Sequence, residues 1–370
     1  MLHCVRVVSR VPHVIVSIGL ASACAHAYHL QSPDGLRLQA IARAQVWTPT
    51  DVPSNDIRTG PQFKGAFAPD AEITCDYVDK RPDGKSRKFL CEVAPGDEVK
   101  IKYGTGNGEV HAEVAATRLL WALGFPTDAM YPIRVVCRGC PADPFHGKGP
   151  KSERMVLERA AAERKFPGKA LAFNGLEGWS WPELDSIDES AGGAPRAHRD
   201  ALKLLAVFVQ HTDTKPPQQR LTCVGGDKEQ EAEGVCFHPF MMINDLGQTF
   251  GRANLRNRDR LSGMNFEGWS HTKVWLDSRQ CIGNLPRSFT GTLENPKISE
   301  GGRRFLADLL VQLSDRQLRD LFEISHAAER MSEGTRPASV DLWVDAFKQK
   351  RDEIVNHSCD AGDQRRTTND

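Results

Sequence analysis

The chain has 370 residues, of which 40% are hydrophobic and 26% are charged, so it can bury a large core and lacks the composition of a disordered protein. Lysine plus arginine number 48, and aspartate plus glutamate also number 48. This balance gives no overall electrostatic footprint for nucleic acid or for an anionic membrane, so partners must be recognised at local sites.

The first 27 residues have the pattern of a secretory signal peptide. Arg6 and Arg10 precede an apolar stretch over residues 11–25, and the small-residue triplet Ala25-His26-Ala27 favours cleavage after residue 27. The apolar stretch is too short for a membrane span, and no later segment approaches the roughly 20 apolar residues that a span requires. We therefore expect a secreted or periplasmic protein without a membrane span, and Ala21-Ser22-Ala23-Cys24 leaves a lipoprotein as the alternative.

Removal of the signal peptide leaves eight of the ten cysteines, and an even number in an exported chain is typical of disulfides. Proximity along the chain favours these pairs: Cys75 with Cys91, Cys137 with Cys140, Cys223 with Cys236, and Cys281 with Cys359. Other connectivities stay open at this point. Cys137 and Cys140 could instead form half of a zinc site, although no second closely spaced pair is present to complete it.

Strand signals dominate the first part of the mature chain. Three β-rich runs cover residues 72–78, 87–93 and 98–103, and turn signals separate them at Pro82-Asp83-Gly84 and Pro95-Gly96-Asp97. Since short turns join neighbouring antiparallel strands, these runs predict an antiparallel meander.

One helix and two more strands follow the meander. Apolar side chains recur at helical spacing over residues 109–123, and Gly124-Phe125-Pro126 ends this predicted helix. Residues 133–137 and 155–159 have the composition of strands and flank an insert that is rich in proline and glycine. Several strands with a single helix predict a small α+β unit.

The rest of the chain is predicted to be mainly helical. Residues 198–210 form an amphipathic helix pattern, and the apolar run over residues 237–243 is typical of a strand. Three further helices are predicted at residues 302–313, 315–328 and 340–355. Residues 360–370 are polar and predict a disordered tail.

The helix over residues 198–210 leads into a segment, residues 211–218, with the register of the kinase catalytic loop H-R-D-x-x-x-x-N. In that chemistry Asp213 accepts the proton of an attacking hydroxyl, and Lys215 neutralises the transferring phosphoryl group. Gln218 stands where an asparagine that helps to hold metal is expected. The structural alternative is a proline-containing turn in which Asp213 caps backbone groups.

A second motif, Asp245-Leu246-Gly247, follows the predicted strand over residues 237–243 and resembles the D-F-G element whose aspartate holds magnesium. The alternative is an ordinary β-turn, in which Asp and Gly are common. Asp213 and Asp245 are 32 positions apart, and a disulfide-tied insertion between Cys223 and Cys236 would explain this separation.

A third motif, Val99-Lys100-Ile101-Lys102, has the pattern of the V-A-I-K strand that carries a phosphate-binding lysine. Register favours Lys102 and leaves Lys100 as the fallback, since alternation places both on one face. Its partner is expected on the following helix, where Glu113 and Glu109 both qualify because they lie one turn apart. The alternative is a set of solvated surface charges.

The candidate residues follow the order that protein kinases use: Lys102, Glu113, Asp213, Gln218 and Asp245. Residues 112–125 with Pro132 look like the helix and exit strand of the secretory-pathway casein kinases, and residues 240–251 look like their metal-binding strand and loop. Over residues 99–251 the sequence thus resembles the atypical branch of the protein-kinase-like superfamily, which includes the HipA-like and phosphoinositide kinases.

The resemblance implies an α+β, two-lobed protein-kinase-like fold. An N-lobe over residues 28–158 would be an antiparallel sheet with one helix, and a mainly helical C-lobe would cover residues 159–359. A connector near residues 158–161 would offer backbone groups to adenine.

The resemblance further implies an exported kinase that uses ATP and Mg²⁺ or Mn²⁺ to phosphorylate a hydroxyl acceptor, a protein or a small molecule. By carry-over, Lys102 and Glu113 would position the nucleotide, Asp213 and Lys215 would be catalytic, and Gln218 and Asp245 would hold the metal.

The sequence departs from the kinase pattern at several points. No G-x-G-x-x-G precedes Val99, so the turn over residues 82–86 would have to cover the phosphates with its backbone. Gln218 replaces asparagine, and no A-P-E motif follows Gly251. A pseudokinase scaffold and an AMP transferase are therefore the rival interpretations. A dinucleotide site at residues 104–108 is disfavoured, because the spacing is G-x-G-x-G without strand-helix alternation.

Overall fold

The computed structural model describes residues 33–225, 236–251, 263–330 and 337–359. The predicted signal peptide over residues 1–27 and the predicted tail over residues 360–370 lie outside these ranges. The described α-helices are α1 (Pro33–Ala42), α2 (Gly108–Ala122), α3 (Arg196–Phe208), α4 (Phe266–Ser270), α5 (Glu300–Leu310), α6 (Asp315–Ile324) and α7 (Val340–Val355). The predicted α+β class is confirmed. In the described part of the chain, no helix is long and apolar enough to cross a membrane.

The strands divide into a barrel, a three-stranded sheet and two hairpins. They are β1 (Ala71–Val78), β2 (Lys88–Ala94), β3 (Asp97–Tyr103), β4 (Ala129–Arg138), β5 (Cys140–Asp143), β6 (Lys148–Ser152), β7 (Met155–Arg164), β8 (Lys169–Ala170), β9 (Gln219–Cys223), β10 (Pro239–Ile243), β11 (Trp275–Asp277) and β12 (Ile282–Gly283). The sheet of β8, β9 and β10 is antiparallel and lies next to the segments that were singled out as catalytic and metal loops.

Five strands close into a barrel in the order β1-β2-β3-β7-β4. The predicted antiparallel meander is present as β1, β2 and β3, and β7 lies antiparallel between β3 and β4. However, β4 pairs in parallel with β1, from Ala71 opposite Ile133 to Asp76 opposite Arg138. The expected all-antiparallel sheet is therefore corrected to a closed barrel, which leaves no unpaired edge strand exposed.

Strand β7 is longer than predicted and corrects the expected connector. Residues 158–161 were expected to link two lobes, but β7 continues through them to Arg164. Ala160 and Ala161 pair with β3 on one side and β4 on the other, so this backbone is committed to the sheet and is not free to bond adenine. The chain leaves the barrel only at Lys165. The end of β7 was not predicted because it contains three consecutive alanines, and alanine is depleted in strands.

Helix α2 joins the barrel to the helical region. It packs against β3, β4 and β7 on one side and against α6 on the other. Nearly all of its side chains are buried, including charged Glu113 and Arg118. A helix that is buried on all sides is held in place by both partners, so its polar side chains have set positions. The site described below depends on the fixed positions of these side chains.

The predicted helices of the second half are present with small shifts. Helix α3 occupies the predicted amphipathic segment, and α5, α6 and α7 match the last three predicted helices. Ser299, Ser314 and Ser339 cap α5, α6 and α7 by accepting a hydrogen bond from a backbone N–H in the first turn. Helix α1 and the β5–β6 hairpin were not predicted; the hairpin lies in the insert that is rich in proline and glycine.

All four predicted disulfides are present: Cys75–Cys91, Cys137–Cys140, Cys223–Cys236 and Cys281–Cys359. The bond between Cys137 and Cys140 leaves neither thiol available for the alternative zinc site. Cys223 and Cys236 tie together the two ends of the segment that separates the catalytic and metal motifs. Four disulfides are typical of an oxidising compartment.

Removal of the Cys281–Cys359 disulfide by a double alanine substitution is expected to lower the free energy of unfolding by about 3–4 kcal/mol. This bond spans 78 residues, and a long loop constrains the unfolded chain more than a short one. Urea denaturation measures the loss. The matched control removes Cys223–Cys236, which spans 13 residues, and should lose about 1–2 kcal/mol less. A larger loss in the control would contradict this account.

Candidate active site

The centre of the site is the ammonium group of Lys102. Alternation along β3 turns this side chain towards α2, where it is completely buried. Its Nζ atom lies 2.8 Å from Oε1 of Glu113, 2.8 Å from Oε2 of Glu109 and 3.8 Å from Oδ1 of Asp245. Strand β3, helix α2 and the loop after β10 therefore meet at one cation.

Both candidate glutamates contact Lys102, so the choice between them does not arise. Glu109 also accepts a hydrogen bond from Nε2 of Gln248, 3.1 Å away, in the loop after Asp245. Gly247 of the same loop lies against Glu109, and a Cβ atom on Gly247 would lie 2.8 Å from Cγ of Glu109. The absence of a side chain at Gly247 lets the Asp245 loop dock on α2.

Burial and charge shift the acidity of this cluster in opposite directions. Burial lowers the pKa of Lys102, but Asp245, Glu113 and Glu109 outweigh it and leave that pKa well above its usual value. Burial raises the pKa of Asp245, but the charges of Lys102 and Lys100 and hydrogen bonds from Glu113 and Gly247 together outweigh burial, so the net shift is downward. Burial raises the pKa of Glu113 to about 8, only partly offset by Lys102. Lys102 and Asp245 are therefore charged at neutral pH, while Glu113 is largely protonated.

Lys100 is on the same face of β3 but belongs to a different cluster. It forms an ion pair with Glu163 of β7, which also contacts Nζ of Lys165 at 2.5 Å. Burial raises the pKa of Glu163, but the two lysines outweigh burial and lower it to about 2. The geometry thus separates Lys102, at the carboxylate cluster, from Lys100, at the exit of the barrel.

The predicted catalytic loop follows α3. His211 is completely buried, and neither of its ring nitrogens has a hydrogen-bond partner among the described residues. Burial lowers its pKa to about 4, so the ring is neutral at physiological pH. Oδ2 of Asp213 accepts hydrogen bonds from Nζ of Lys215 at 2.9 Å and from Nε2 of Gln218 at 2.6 Å. The side chain of Asp213 is 23% exposed, so a ligand can reach it.

The catalytic loop and the Asp245 loop are tied together by their backbones. The N–H of Asp245 donates to the carbonyl of Gln218 at 3.3 Å, and the N–H of Thr212 donates to the carbonyl of Gln248 at 3.1 Å. The side-chain oxygen of Asn244 is buried beside them without a hydrogen-bond partner. The two loops therefore form one surface on which Asp213, Gln218 and Asp245 are neighbours.

The donor set of this surface fits a hard divalent cation. Mg²⁺ and Mn²⁺ prefer carboxylate and amide oxygens, and Asp245 and Gln218 offer one of each. Because Gln218 donates through its nitrogen to Asp213, its amide oxygen is left for another partner. The side-chain oxygen of Asn244, which has no hydrogen-bond partner among the described residues, could serve as a further ligand for a cation.

A cavity of about 780 Å³ opens beside these loops. Pro216, Pro217 and Asn244 line one side, and Asp83 of the β1–β2 turn reaches it from the barrel. The turn that was expected to cover phosphates therefore faces the same space as the catalytic loop. A molecule in this cavity would contact both the barrel and the helical region.

No protein-family model matches the chain, and no curated protein matches it by sequence. Among solved structures, the chain is similar to the proinflammatory kinase CtkA of Helicobacter pylori, with 10% sequence identity and a TM-score of 0.39. The alignment covers 80% of this chain and 98% of that one. The case for a function therefore rests on the geometry of the site.

Sequence reasoning missed one residue that shapes the site. Asp128 is almost completely buried and accepts hydrogen bonds from Nζ of Lys165 at 3.0 Å, the N–H of Phe166 at 2.8 Å and Nη2 of Arg220 at 2.7 Å. It thus anchors the segment where the chain leaves the barrel to β9, next to the catalytic loop. No local pattern distinguishes it from a surface aspartate, because all three partners are distant in sequence.

The alternative dinucleotide site at residues 104–108 has a simpler explanation. Asn107 caps α2 by accepting a hydrogen bond from the N–H of Glu109, and Gly104 has a φ of 102°, which glycine adopts without strain. The neighbouring strands are antiparallel to β3, whereas a dinucleotide fold needs a parallel sheet. These glycines connect β3 to α2.

Proposed function

We propose that this protein is an ATP-dependent kinase with a two-lobed, protein-kinase-like fold. The observation that carries the proposal is the buried Lys102 ammonium in contact with Glu109 and Glu113 and 3.8 Å from Asp245. In a kinase, a strand lysine paired with a helix glutamate holds the α- and β-phosphates of ATP. The barrel with α2 would be the N-lobe, and the chain after Arg164 would be the C-lobe.

The proposed reaction transfers the γ-phosphoryl group of ATP to a hydroxyl group. Asp213 would accept the proton of that hydroxyl as it attacks phosphorus. Lys215 and Gln218 both bind Oδ2 of Asp213, which orients the carboxylate and leaves Oδ1 for the acceptor. Lys102 would neutralise charge on the phosphates, and Lys215 would be near enough to do so during transfer.

Asp245 and Gln218 would hold Mg²⁺ or Mn²⁺. The metal would neutralise the charge of the phosphates. The docking of the Asp245 loop on Glu109 keeps Asp245 next to Lys102 through contacts within the protein itself. The chain would therefore present a preformed site, in which little reorganisation precedes ATP binding.

We place the kinase in the periplasm or outside the cell. Four disulfides in the described residues support an oxidising compartment, and the signal-peptide pattern of residues 1–27 agrees with export. The acceptor would be a protein or a small molecule that carries a hydroxyl group.

Labelled ATP tests the proposal. The oxidatively folded chain is incubated with ATP labelled at the α or the γ position, with magnesium or manganese, beside Asp213→Ala and Asp245→Ala. Transfer of γ-label to protein or to an added acceptor, lost in both variants, is the expected result. Transfer of α-label would instead identify AMP transfer. A chain that neither transfers label nor is stabilised by ATP would refute nucleotide chemistry at this site.

A pseudokinase scaffold is the second candidate, and the contacts of Asp213 favour it. Lys215 and Gln218 both bind Oδ2 of Asp213, so that oxygen is not free to accept the proton of an acceptor hydroxyl. This candidate predicts that ATP raises the melting temperature without any transfer of label, and that Asp245→Ala removes this stabilisation while Asp213→Ala retains it.

A further inference from the structure

Lys88 is a buried lysine that the mechanism above does not use. It is the first residue of β2 and lies directly opposite Lys102 in the β2–β3 register. Directly paired residues on antiparallel strands turn their side chains to the same face, with Cβ atoms roughly 4.5–5.5 Å apart. The two side chains therefore leave the sheet side by side, towards the Asp245 loop.

Lys88 differs from other buried lysines because it lacks a partner. Among the described residues, the lysines that are at most 8% exposed are Lys88, Lys102, Lys203 and Lys350. Lys102 contacts carboxylates, Lys203 contacts Asp185 at 2.6 Å, and Lys350 donates to the carbonyl of Thr272. Lys88, which is 6% exposed, forms no ion pair or hydrogen bond through its side chain with any described residue. Although the residue is buried, its Nζ atom keeps some exposure to solvent, so a ligand can reach the ammonium.

The electrostatic surroundings favour an anion as that ligand. The pKa of Lys88 is lowered, first by burial and then by the charges of Lys102 and Lys100, while Asp245 and Glu109 offset this only in part. Lys102 and Lys100 have acidic partners in direct contact, whereas Lys88 has none. An anion bound next to Lys88 would offset the cost of burying its charge and its repulsion from Lys102 and Lys100.

The β1–β2 turn lies against Lys88. Gly84 of this turn has a φ of 101°, and a Cβ atom there would lie 2.5 Å from Nζ of Lys88. The backbone of the turn thus lies over the ammonium, and the adjacent residue Asp83 lines the cavity of about 780 Å³. The ammonium therefore lies between the turn and the Lys102 cluster, with part of its surface open to solvent.

We propose that Lys88 is a second phosphate-binding lysine, which contacts the polyphosphate chain of the bound nucleotide together with Lys102. The inference rests on the proposed function, because it assigns the ligand of the same site. A polyphosphate has several negative oxygens in a row, so it can contact two adjacent ammonium groups at once. The β1–β2 turn has no G-x-G-x-x-G motif to bind phosphates through its backbone. The side chain of Lys88 on β2 would supply a positive charge to the phosphates, which backbone amides do not carry.

The test compares Lys88→Met with Lys80→Met, an exposed lysine at the other end of the same β1–β2 connection. Titration calorimetry measures the affinities for ATP and for adenosine in the presence of magnesium, and thermal unfolding is followed without nucleotide. Lys88→Met is expected to weaken ATP binding about 10- to 100-fold, the usual effect of removing a charge-assisted contact. Adenosine affinity should stay unchanged, and the melting temperature should stay the same or rise. Lys80→Met should match the wild type throughout.

The outcomes separate this inference from the proposed function. If the wild-type chain binds ATP and Lys88→Met binds it equally well, the role of Lys88 is wrong and the kinase proposal stands. If Lys88→Met loses ATP and adenosine to the same degree and melts earlier, the lysine is structural and the inference is also wrong. If the wild-type chain binds no ATP, both proposals fail. Should Lys88→Met not fold, Lys88→Gln and the charge-retaining Lys88→Arg are compared by the same criteria, with Lys88→Arg expected to recover most of the ATP affinity.

Discussion

Replacement of Lys102 with methionine is expected to abolish phosphoryl transfer and to lower the free energy of unfolding by about 3–5 kcal/mol. Lys102 is completely buried and is the cation that Glu109 and Glu113 contact directly. Its removal leaves buried carboxylates that repel each other. The loss should grow above pH 8, because the pKa of Glu113 is already about 8 beside Lys102 and removal of the ammonium raises it further. Above pH 8 the folded variant keeps a proton on Glu113 that the wild type has released, so the stability of the variant keeps falling as pH increases.

Urea denaturation at pH 7 and pH 9, together with ATP titration, measures these effects. The matched control is Lys100→Met, on the same face of the same strand. It leaves Glu163 paired with Lys165, so its loss of stability should be smaller and its ATP affinity closer to that of the wild type. If Lys100→Met loses more ATP affinity than Lys102→Met, the assignment of the phosphate-binding lysine is wrong and must be reversed.

Asp213→Asn is expected to lower the rate of phosphoryl transfer by a factor of about 10²–10⁴, the range that a general base contributes. ATP affinity should change little, because Asp213 contacts Lys215 and Gln218 and lies outside the Lys102 cluster. Asparagine has nearly the same shape, so the variant should fold with the stability of the wild type. Single-turnover rates and ATP titration, measured on the same preparations, separate the two parameters.

Asp245→Asn is the comparison variant for Asp213→Asn. It removes the carboxylate that lies 3.8 Å from Lys102 and that is proposed to bind metal, so magnesium-dependent ATP binding should weaken as well as the rate. A kinase therefore predicts two different patterns, loss of rate alone at Asp213 and loss of both rate and affinity at Asp245. Identical patterns in the two variants would contradict the separate roles, and full activity of Asp213→Asn would exclude it as the base.

Several parts of the fold were predictable because their signals are local. The meander of β1, β2 and β3 is encoded by strand composition and by two strong turn sequences. Helices α5, α6 and α7 have serine caps and apolar repeats, and their predicted positions are confirmed within a few residues. The disulfide pairs followed from proximity along the chain, which works when the closed loops are short, and the remaining pair followed from those.

The predictions that were wrong concern features that depend on contacts between segments distant in the sequence. The parallel pairing of β1 with β4 joins residues about 60 positions apart, and no local sequence pattern in either strand indicates which strand it pairs with. The end of β7 was missed because Ala160 and its alanine neighbours favour a strand only when β3 and β4 hold them on both sides. The connector near residues 158–161 was misplaced for the same reason.

The sequence by itself determined which residue types occur in which order: a strand lysine, a helix glutamate, an aspartate after α3 and an aspartate after β10. Only the tertiary structure decided that Lys102, and not Lys100, lies next to Asp245, and that Glu109 and Glu113 both contact Lys102. It also decided that Lys88 is buried beside Lys102 without a side-chain partner among the described residues. The physical reason is that periodicity and turn chemistry act between near neighbours in the chain. Burial and charge pairing depend on what the barrel, α2 and the Asp245 loop bring together in space.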